Sequence, residues 1–343
     1  MQRFEHGGDV YGNHEVQLDF SVNTNPFGLP YPVRDALVTR ISEFSNYPDP
    51  MCRELCSAIA FYENIKKEWI LCANGAADLI YRLCFVLKPK RALVCAPTFS
   101  EYEKALEQVG SEVLYHTLEA ENGFELSYEL IDHINPEIDM LFLCHPNNPT
   151  GRLISNELIK RIIARARQTG TIVIVDECFL DFTTGKSAKC HLSETPLLCI
   201  LKAFTKTYAM AGLRLGYILS SDTILLEKLN AAAQCWSVSV PAQVAGIAAL
   251  CCEDWKDKTL NLVMKEREFL SSSLESPGIK VFRSDANYLL LQTEHPLYEM
   301  LLQKGIMIRS CENFKGLDSS YYRVGIKKRE ENICLIEAIK ELV

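Results

Sequence analysis

Four short segments of the 343-residue chain carry the side chains that could do chemistry. Asn74-Gly75-Ala76-Ala77-Asp78 follows an apolar run and opens a helical pattern, so its small residues let backbone N–H groups at a helix start reach a phosphate, helped by the helix dipole. In His145-Pro146-Asn147-Asn148-Pro149-Thr150-Gly151 the prolines fix φ and exclude regular structure, which holds an amide side chain still beside a ligand. Val175-Asp176-Glu177 places a carboxylate at the end of an apolar run, where burial is costly unless a cation pairs with it. The stretch 204–217 holds Lys206 and Arg214, eight residues apart among small and hydroxyl residues. Such a lysine can form an imine, and such an arginine can clamp a phosphate with two parallel hydrogen bonds. Jointly these are the residue types that hold a phosphorylated aromatic cation. Taken singly, each also reads as something plainer: a turn, a rigid loop, a helix cap or structural ion pair, a pair of solvated cations.

The elements that must position them alternate. Strand-like runs at 69–72, 92–95, 140–144 and 171–175 are separated by helical patterns at 76–87, 101–109 and 156–168. Further apolar runs at 197–201 and 213–219 extend the series, and helical patterns follow at 241–252 and 258–274. This order predicts an α/β fold, with a large domain whose mainly parallel sheet is covered by helices on both faces. Each of the four segments then falls at the carboxyl end of a strand, where open α/β sheets bind ligands. Strand-like 287–291 and 322–326, with helical 296–304 and 329–342, predict a smaller α+β domain. Gly7, Gly8, Gly12, Pro26, Gly28 and Pro30 make the first residues an irregular arm. The expected division is an arm at 1–30, a large domain at 31–245 and a small one at 246–343.

A net charge of -8 leaves no electrostatic footprint for nucleic acid or anionic lipid over the chain as a whole, so an anionic ligand must be small and met by local cations. No apolar run reaches the ~18 residues that span a bilayer, and residues 1–19 are polar without a signal-peptide core, so a cytoplasmic protein with no membrane partner is expected. The 14 cysteines form no C-x-x-C pair and sit mostly in apolar stretches, which predicts buried reduced thiols and no metal site. Thr184-Gly185-Lys186-Ser187 ends like a P-loop, but Leu180 stands where the motif needs glycine, which leaves a surface turn.

In their order, Asn-Gly, Pro-Asn-Asn-Pro-Thr-Gly, Asp-Glu, Thr-Lys and Gly-Leu-Arg-x-Gly-Tyr, the segments resemble the fold-type I aminotransferase family, and the resemblance covers nearly the whole chain. It implies pyridoxal 5'-phosphate as cofactor. It further implies that Lys206 is the Schiff-base lysine, Asp176 the partner of the pyridinium nitrogen and Asn148 the donor to the ring oxygen. Gly75, Ala76, Ala77, Thr205 and Arg214 match the phosphate cup, and Phe99 the aromatic stacked on the ring. Arg323 matches the arginine that receives a substrate carboxylate, and Tyr47 a tyrosine reaching the cofactor phosphate of a partner subunit, which implies a homodimer. Ala203 departs from the pattern, since a hydroxyl residue commonly stands three before the lysine.

Within the family, the arm with His6-Gly7-Gly8, the stretch 19–28 containing Asn25, and the stretch 308–323 are most similar to threonine-phosphate decarboxylases of cobalamin biosynthesis, and next to histidinol-phosphate aminotransferases. Phe179 stands where aminotransferases usually carry a tyrosine that donates to the ring oxygen. The resemblance thus implies a carboxy-lyase acting on a small phosphorylated amino acid, O-phospho-L-threonine. Arg309 and His6 are candidates for its phosphate, with Asn25 a further substrate contact. A histidinol-phosphate aminotransferase is the alternative, and a non-catalytic aminotransferase-like binding domain a third, weakened by the presence of Lys206.

Overall fold

The computed structural model describes residues 6–11, 15–276 and 278–342. Gly12 of the arm lies outside the described residues. After a short strand β1 (Leu18–Asp19), seven strands build the main sheet: β2 (Ile70–Ala73), β3 (Arg91–Ala96), β4 (Glu112–Thr117), β5 (Met140–Cys144), β6 (Ile172–Asp176), β7 (Leu198–Ala203) and β8 (Gly216–Ser220). Their spatial order is β2-β8-β7-β6-β5-β3-β4. β7, β6, β5, β3 and β4 run parallel, while β8 is antiparallel to both neighbours.

Burial on both faces explains the near-continuous apolar strands. Leu93, Leu141, Val173 and Ile200 enter one core cluster, whereas their neighbours Val94, Phe142, Ile174 and Cys199 enter the cluster on the opposite face, as the two-residue period of a strand requires. From the edge strand β4 the chain returns to lay β5 beside β3, then continues in the other direction through β6 and β7. The crevice where the order reverses lies at the carboxyl ends of these strands.

A second, antiparallel sheet joins β9 (Lys280–Val281), β10 (Tyr288–Gln292), β12 (Arg309–Ser310) and β13 (Tyr321–Gly325), and β11 (Ile306–Met307) pairs in parallel with β1. Its core gathers Leu270, Leu289, Leu291, Val324 and Leu335 under the helices Trp255–Leu274 and Arg329–Lys340. Residue 245, the expected end of the large domain, falls inside the helix Val240–Leu250, which packs against the helices Tyr31–Thr39 and Arg53–Glu63. No helix among the described residues is long and apolar enough to cross a membrane. All 14 cysteines are reduced thiols, but Cys190, Cys235, Cys251 and Cys334 are exposed, which corrects the expectation of uniform burial: position in a mixed helix or loop, not an apolar neighbour, decides exposure there.

Candidate active site

A cavity of about 440 Å³ sits at the carboxyl ends of β5, β6 and β7. Asp176, Asn148, Lys206, Thr205, Ala76, Ala77, Phe99, Arg214, Arg309, Arg323 and His6 all line it, although they come from stretches up to 317 residues apart in sequence.

One end of the cavity is built by close backbone approach. Gly75 precedes the helix Ala76–Leu87 with φ +86° and ψ 164°, a conformation open to glycine, and no side chain caps that helix. A Cβ on Gly75 would stand 2.8 Å from Arg214 Nη2, and one on Gly216 would stand 2.6 Å from the Ala76 nitrogen. These two glycines let β8 bring the Arg214 guanidinium against the bare N-terminus of that helix. Arg214 adopts a left-handed conformation (φ +57°), which costs roughly 1–3 kcal/mol and recurs where a site over-determines the backbone. Uncapped N–H groups, a helix dipole and a guanidinium together form a cradle that fits a phosphate.

Asp176 ends β6 and is buried. One carboxylate oxygen accepts from the Tyr102 hydroxyl at 2.7 Å and the other from the Cys178 backbone N–H at 3.0 Å. The Tyr102 ring stacks on Phe142 at 4.8 Å and meets Phe99 edge-on at 5.6 Å. Tyr102 was not foreseen as the partner of Asp176; its position three residues after Phe99, at the start of the helix Glu101–Gln108, is the signal that both side chains share one face.

Lys206 follows β7 in the short helix Phe204–Thr207. Burial, then the positive charges of Arg323 and Arg214, push its ammonium down to about 8 against the opposing pull of Asp176. Its Nζ stands 5.8 Å from the centre of the Phe179 ring. Phe179 itself packs edge-on against Tyr288 and presents no hydroxyl.

Two arginines of the cavity are direct cross-strand partners. Arg309 on β12 pairs with Arg323 on β13, so both guanidinium groups leave the same face of the second sheet toward the cavity. Arg323 donates through Nη1 to Asn148 Oδ1 and through Nη2 to the Ser21 carbonyl at 2.9 Å; its buried Nε has no partner among the described residues. Because Asn148 accepts through its oxygen, its Nδ2 end is the one left to donate. Arg309 donates to Asn313 Oδ1 at 2.5 Å and lies over Phe314. Like charges opposite one another are unfavourable, and a buried donor without an acceptor is costly, so the geometry calls for anions in the cavity.

His6 sits at the cavity wall, 2.9 Å from Glu101 and near Phe99. That hydrogen bond, with a second from Tyr81, holds Glu101 down at about 2. Asn25 is placed differently from its expected substrate contact: its buried amide donates to the Thr207 carbonyl and Thr259 Oγ1, and its backbone N–H to the Lys206 carbonyl, so it tethers the arm to the lysine segment and does not line the cavity. Tyr47 is also outside the cavity, 78% exposed and stacked at 4.3 Å on Trp236. The Thr184–Ser187 segment serves structure, with Ser187 Oγ donating to Glu177 at 2.6 Å. No group of three or more His, Cys, Asp or Glu among the described residues is arranged to hold a metal ion.

The chain is 36% identical over 331 residues to threonine-phosphate decarboxylase of Salmonella typhimurium, covering 95% of this chain and 91% of the relative. It is also 36% identical over 338 residues to histidinol-phosphate aminotransferase of Desulfitobacterium hafniense, covering 96% and 92%. The crystal structure of the histidinol-phosphate aminotransferase from Clostridium acetobutylicum superposes with a TM-score of 0.88 at 30% identity, covering 94% of this chain and 98% of that one. The family model for aminotransferase class I and II matches residues 15–339. A phosphate cradle, a buried acid and a half-buried lysine in one cavity fit pyridoxal phosphate, and the chain belongs to the class I and II aminotransferase family, whose pyridoxal-phosphate-dependent fold-type I architecture it shares.

Proposed function

We propose that this protein is a carboxy-lyase that converts O-phospho-L-threonine to (R)-1-amino-2-propanol O-phosphate, a reaction of cobalamin biosynthesis. The observation that carries the reading is the cross-strand pair Arg309 and Arg323 facing one cavity with Lys206. Two adjacent guanidinium groups suit a substrate bearing two anions, and phosphothreonine brings a phosphate and a carboxylate. The similarity to the Salmonella enzyme supports the same substrate class.

In this reading Arg214, Gly75, Ala76, Ala77 and Thr205 would hold the cofactor phosphate, Asp176 would pair with the ring nitrogen, Asn148 would donate to the ring oxygen and Phe99 would cover the ring. Bound pyridoxal phosphate supplies an electron sink for the pair released when a bond at Cα breaks. Which bond at Cα breaks depends on how the substrate is held, so the residues' task is orientation. Arg309, with His6 also on the cavity wall, would anchor the phosphate and Arg323 the carboxylate; two fixed points would set the orientation of the bonds at Cα. Lys206 Nζ then returns a proton to Cα. Its ammonium near 8 lets it hold or release that proton close to neutral pH. Phe179 withholds a phenol from the ring oxygen and leaves apolar surface beside Lys206.

A histidinol-phosphate aminotransferase is the second reading, favoured by the equal identity to the Desulfitobacterium enzyme. Histidinol phosphate brings one anion where the cavity offers two arginines. We further propose a homodimer: Tyr47 and Trp236 form an exposed aromatic stack of the kind a second copy covers. The test is CO2 release from phosphothreonine and from threonine by the loaded protein. The proposal expects release from phosphothreonine at least 100-fold more efficiently, about 2.7 kcal/mol in kcat/KM for a desolvated phosphate–arginine contact. Equal efficiencies, or release from neither, would reject it.

A further inference from the structure

Three cysteines meet outside the cavity just described. Cys52 precedes the helix Arg53–Glu63 and Cys56 lies one turn further on the same face, so both thiols look toward Cys72 on β2. Cys56 Sγ is 3.7 Å from Cys72 Sγ, and the Cys52 thiol also interacts with that of Cys72. The three residues are no more than 6% exposed, yet all three line a separate cavity of about 530 Å³, together with Arg53 and Lys67. Most other cysteines of the chain are scattered singly through the core or surface.

We propose that Cys56 and Cys72 form a reversible thiol–disulfide site, oxidised by a small hydroperoxide entering this second cavity and reduced by a dithiol. The roles follow from the surroundings. The hydrogen bond from Cys72 and the charge of Lys67 hold the Cys56 thiol below its ordinary range, whereas the contacts with Cys52 and Cys56, and burial, push Cys72 well above it. Cys56 also lies in the first turn of the helix Arg53–Glu63, where the helix dipole and Lys67 on the same cavity wall favour a thiolate, so Cys56 is assigned as the attacking sulfur and Cys72 as the resolving one. In the first step the Cys56 sulfur attacks the peroxide: an S–O bond forms, the O–O bond breaks, and the departing alkoxide or hydroxide takes a proton. In the second, the Cys72 sulfur attacks the sulfenic acid: the S–S bond forms, the S–O bond breaks, and hydroxide leaves with the Cys72 proton as water. The two sulfurs lose two electrons in total and the peroxide gains two. Closing from 3.7 Å to a bond of ~2.0 Å needs a shift of about 1.7 Å, within reach of rotamer changes at the two side chains.

Trypsin separates the three thiols, because Cys52, Cys56 and Cys72 fall in the fragments 41–53, 54–66 and 68–82. The test treats the whole protein with hydrogen peroxide, blocks the remaining thiols under denaturing conditions and maps peptides without reductant. The proposal expects titratable thiols to fall by two of 14, a 54–66/68–82 linked pair, and full recovery with dithiothreitol. Cys56→Ser and Cys72→Ser abolish the link, and Cys52→Ser keeps it. All 14 thiols surviving, a link through 41–53 or any other fragment, or sulfinic acid at Cys56 without a link would overturn it. The map of the unmodified sequence decides by itself, so the outcome does not hang on the variants folding.

Discussion

Tyr102→Phe isolates one hydrogen bond at the heart of the site. The phenylalanine ring keeps the stack on Phe142 at 4.8 Å and the edge contact with Phe99 at 5.6 Å, so volume and packing hold. The O–H donated to Asp176 at 2.7 Å is lost, leaving the carboxylate with the Cys178 backbone N–H and thiol. A hydrogen bond to a charged group contributes about 1.5–3 kcal/mol. If Asp176 acts as its charged form in the rate-limiting barrier, kcat should therefore fall about 10- to 150-fold, because each ~1.4 kcal/mol is a factor of ten. The thermal midpoint should move little, since the ring stays where it is. Steady-state CO2 release is the assay, run in the parent and in an Asp176→Ala background. In the second background the Tyr102 change should have no further effect, since its partner is gone. A kcat within twofold of the parent, or an undiminished additional loss without Asp176, would refute the argument that Tyr102 works through that carboxylate.

Gly75→Ala should raise the pyridoxal phosphate Kd tenfold or more, as a Cβ meets Arg214 Nη2 at 2.8 Å at a φ of +86°; an unchanged Kd by titration would contradict the cradle. Attachment of the cofactor to Lys206 needs the neutral amine, so the rate of apoprotein reconstitution should rise with pH through a midpoint near 8. Arg323→Gln removes a positive neighbour that holds the ammonium down, so that midpoint should move upward; a downward or absent shift counts against the assignment. Borohydride reduction of the loaded protein should label Lys206, and Lys206→Ala should be inactive; a label on another lysine with activity retained would move the site. Mixing inactive Lys206→Ala with inactive Tyr47→Ala should restore part of the activity through hybrid dimers, whereas a fully active monomer in sedimentation would exclude that role for Tyr47.

Much of this was legible because local rules and tertiary demands coincide. The helices Ala76–Leu87 and Asn156–Thr169 and the strand Met140–Cys144 announce themselves through long apolar periodicity and turn residues. The edge strand Glu112–Thr117 did not, because its side chains alternate only weakly between exposure and burial and form no apolar run. The strand Gly216–Ser220 was read as a strand, but its antiparallel direction depends on the turn through Arg214, which no period encodes. At the site, residues within a motif were legible, whereas contacts between motifs were not. Asp176 was recognised and its donor Tyr102, 74 residues away, was missed. Asn25 belongs to a recognised stretch, yet its amide turns to Thr207 and Thr259, a choice made by tertiary packing. The pairing of Arg309 with Arg323 depends on strand register, which spacing in sequence does not show.

The reaction type is most directly decided by following carboxyl-labelled phosphothreonine in D2O with the loaded protein and no oxo acid. Labelled CO2 is expected in equimolar amount with 1-amino-2-propanol O-phosphate carrying one deuterium at C1, with negligible amino transfer from glutamate to imidazole-acetol phosphate. Efficient transfer to that acceptor, with the phosphothreonine carboxyl retained, would contradict the decarboxylase reading and establish the aminotransferase.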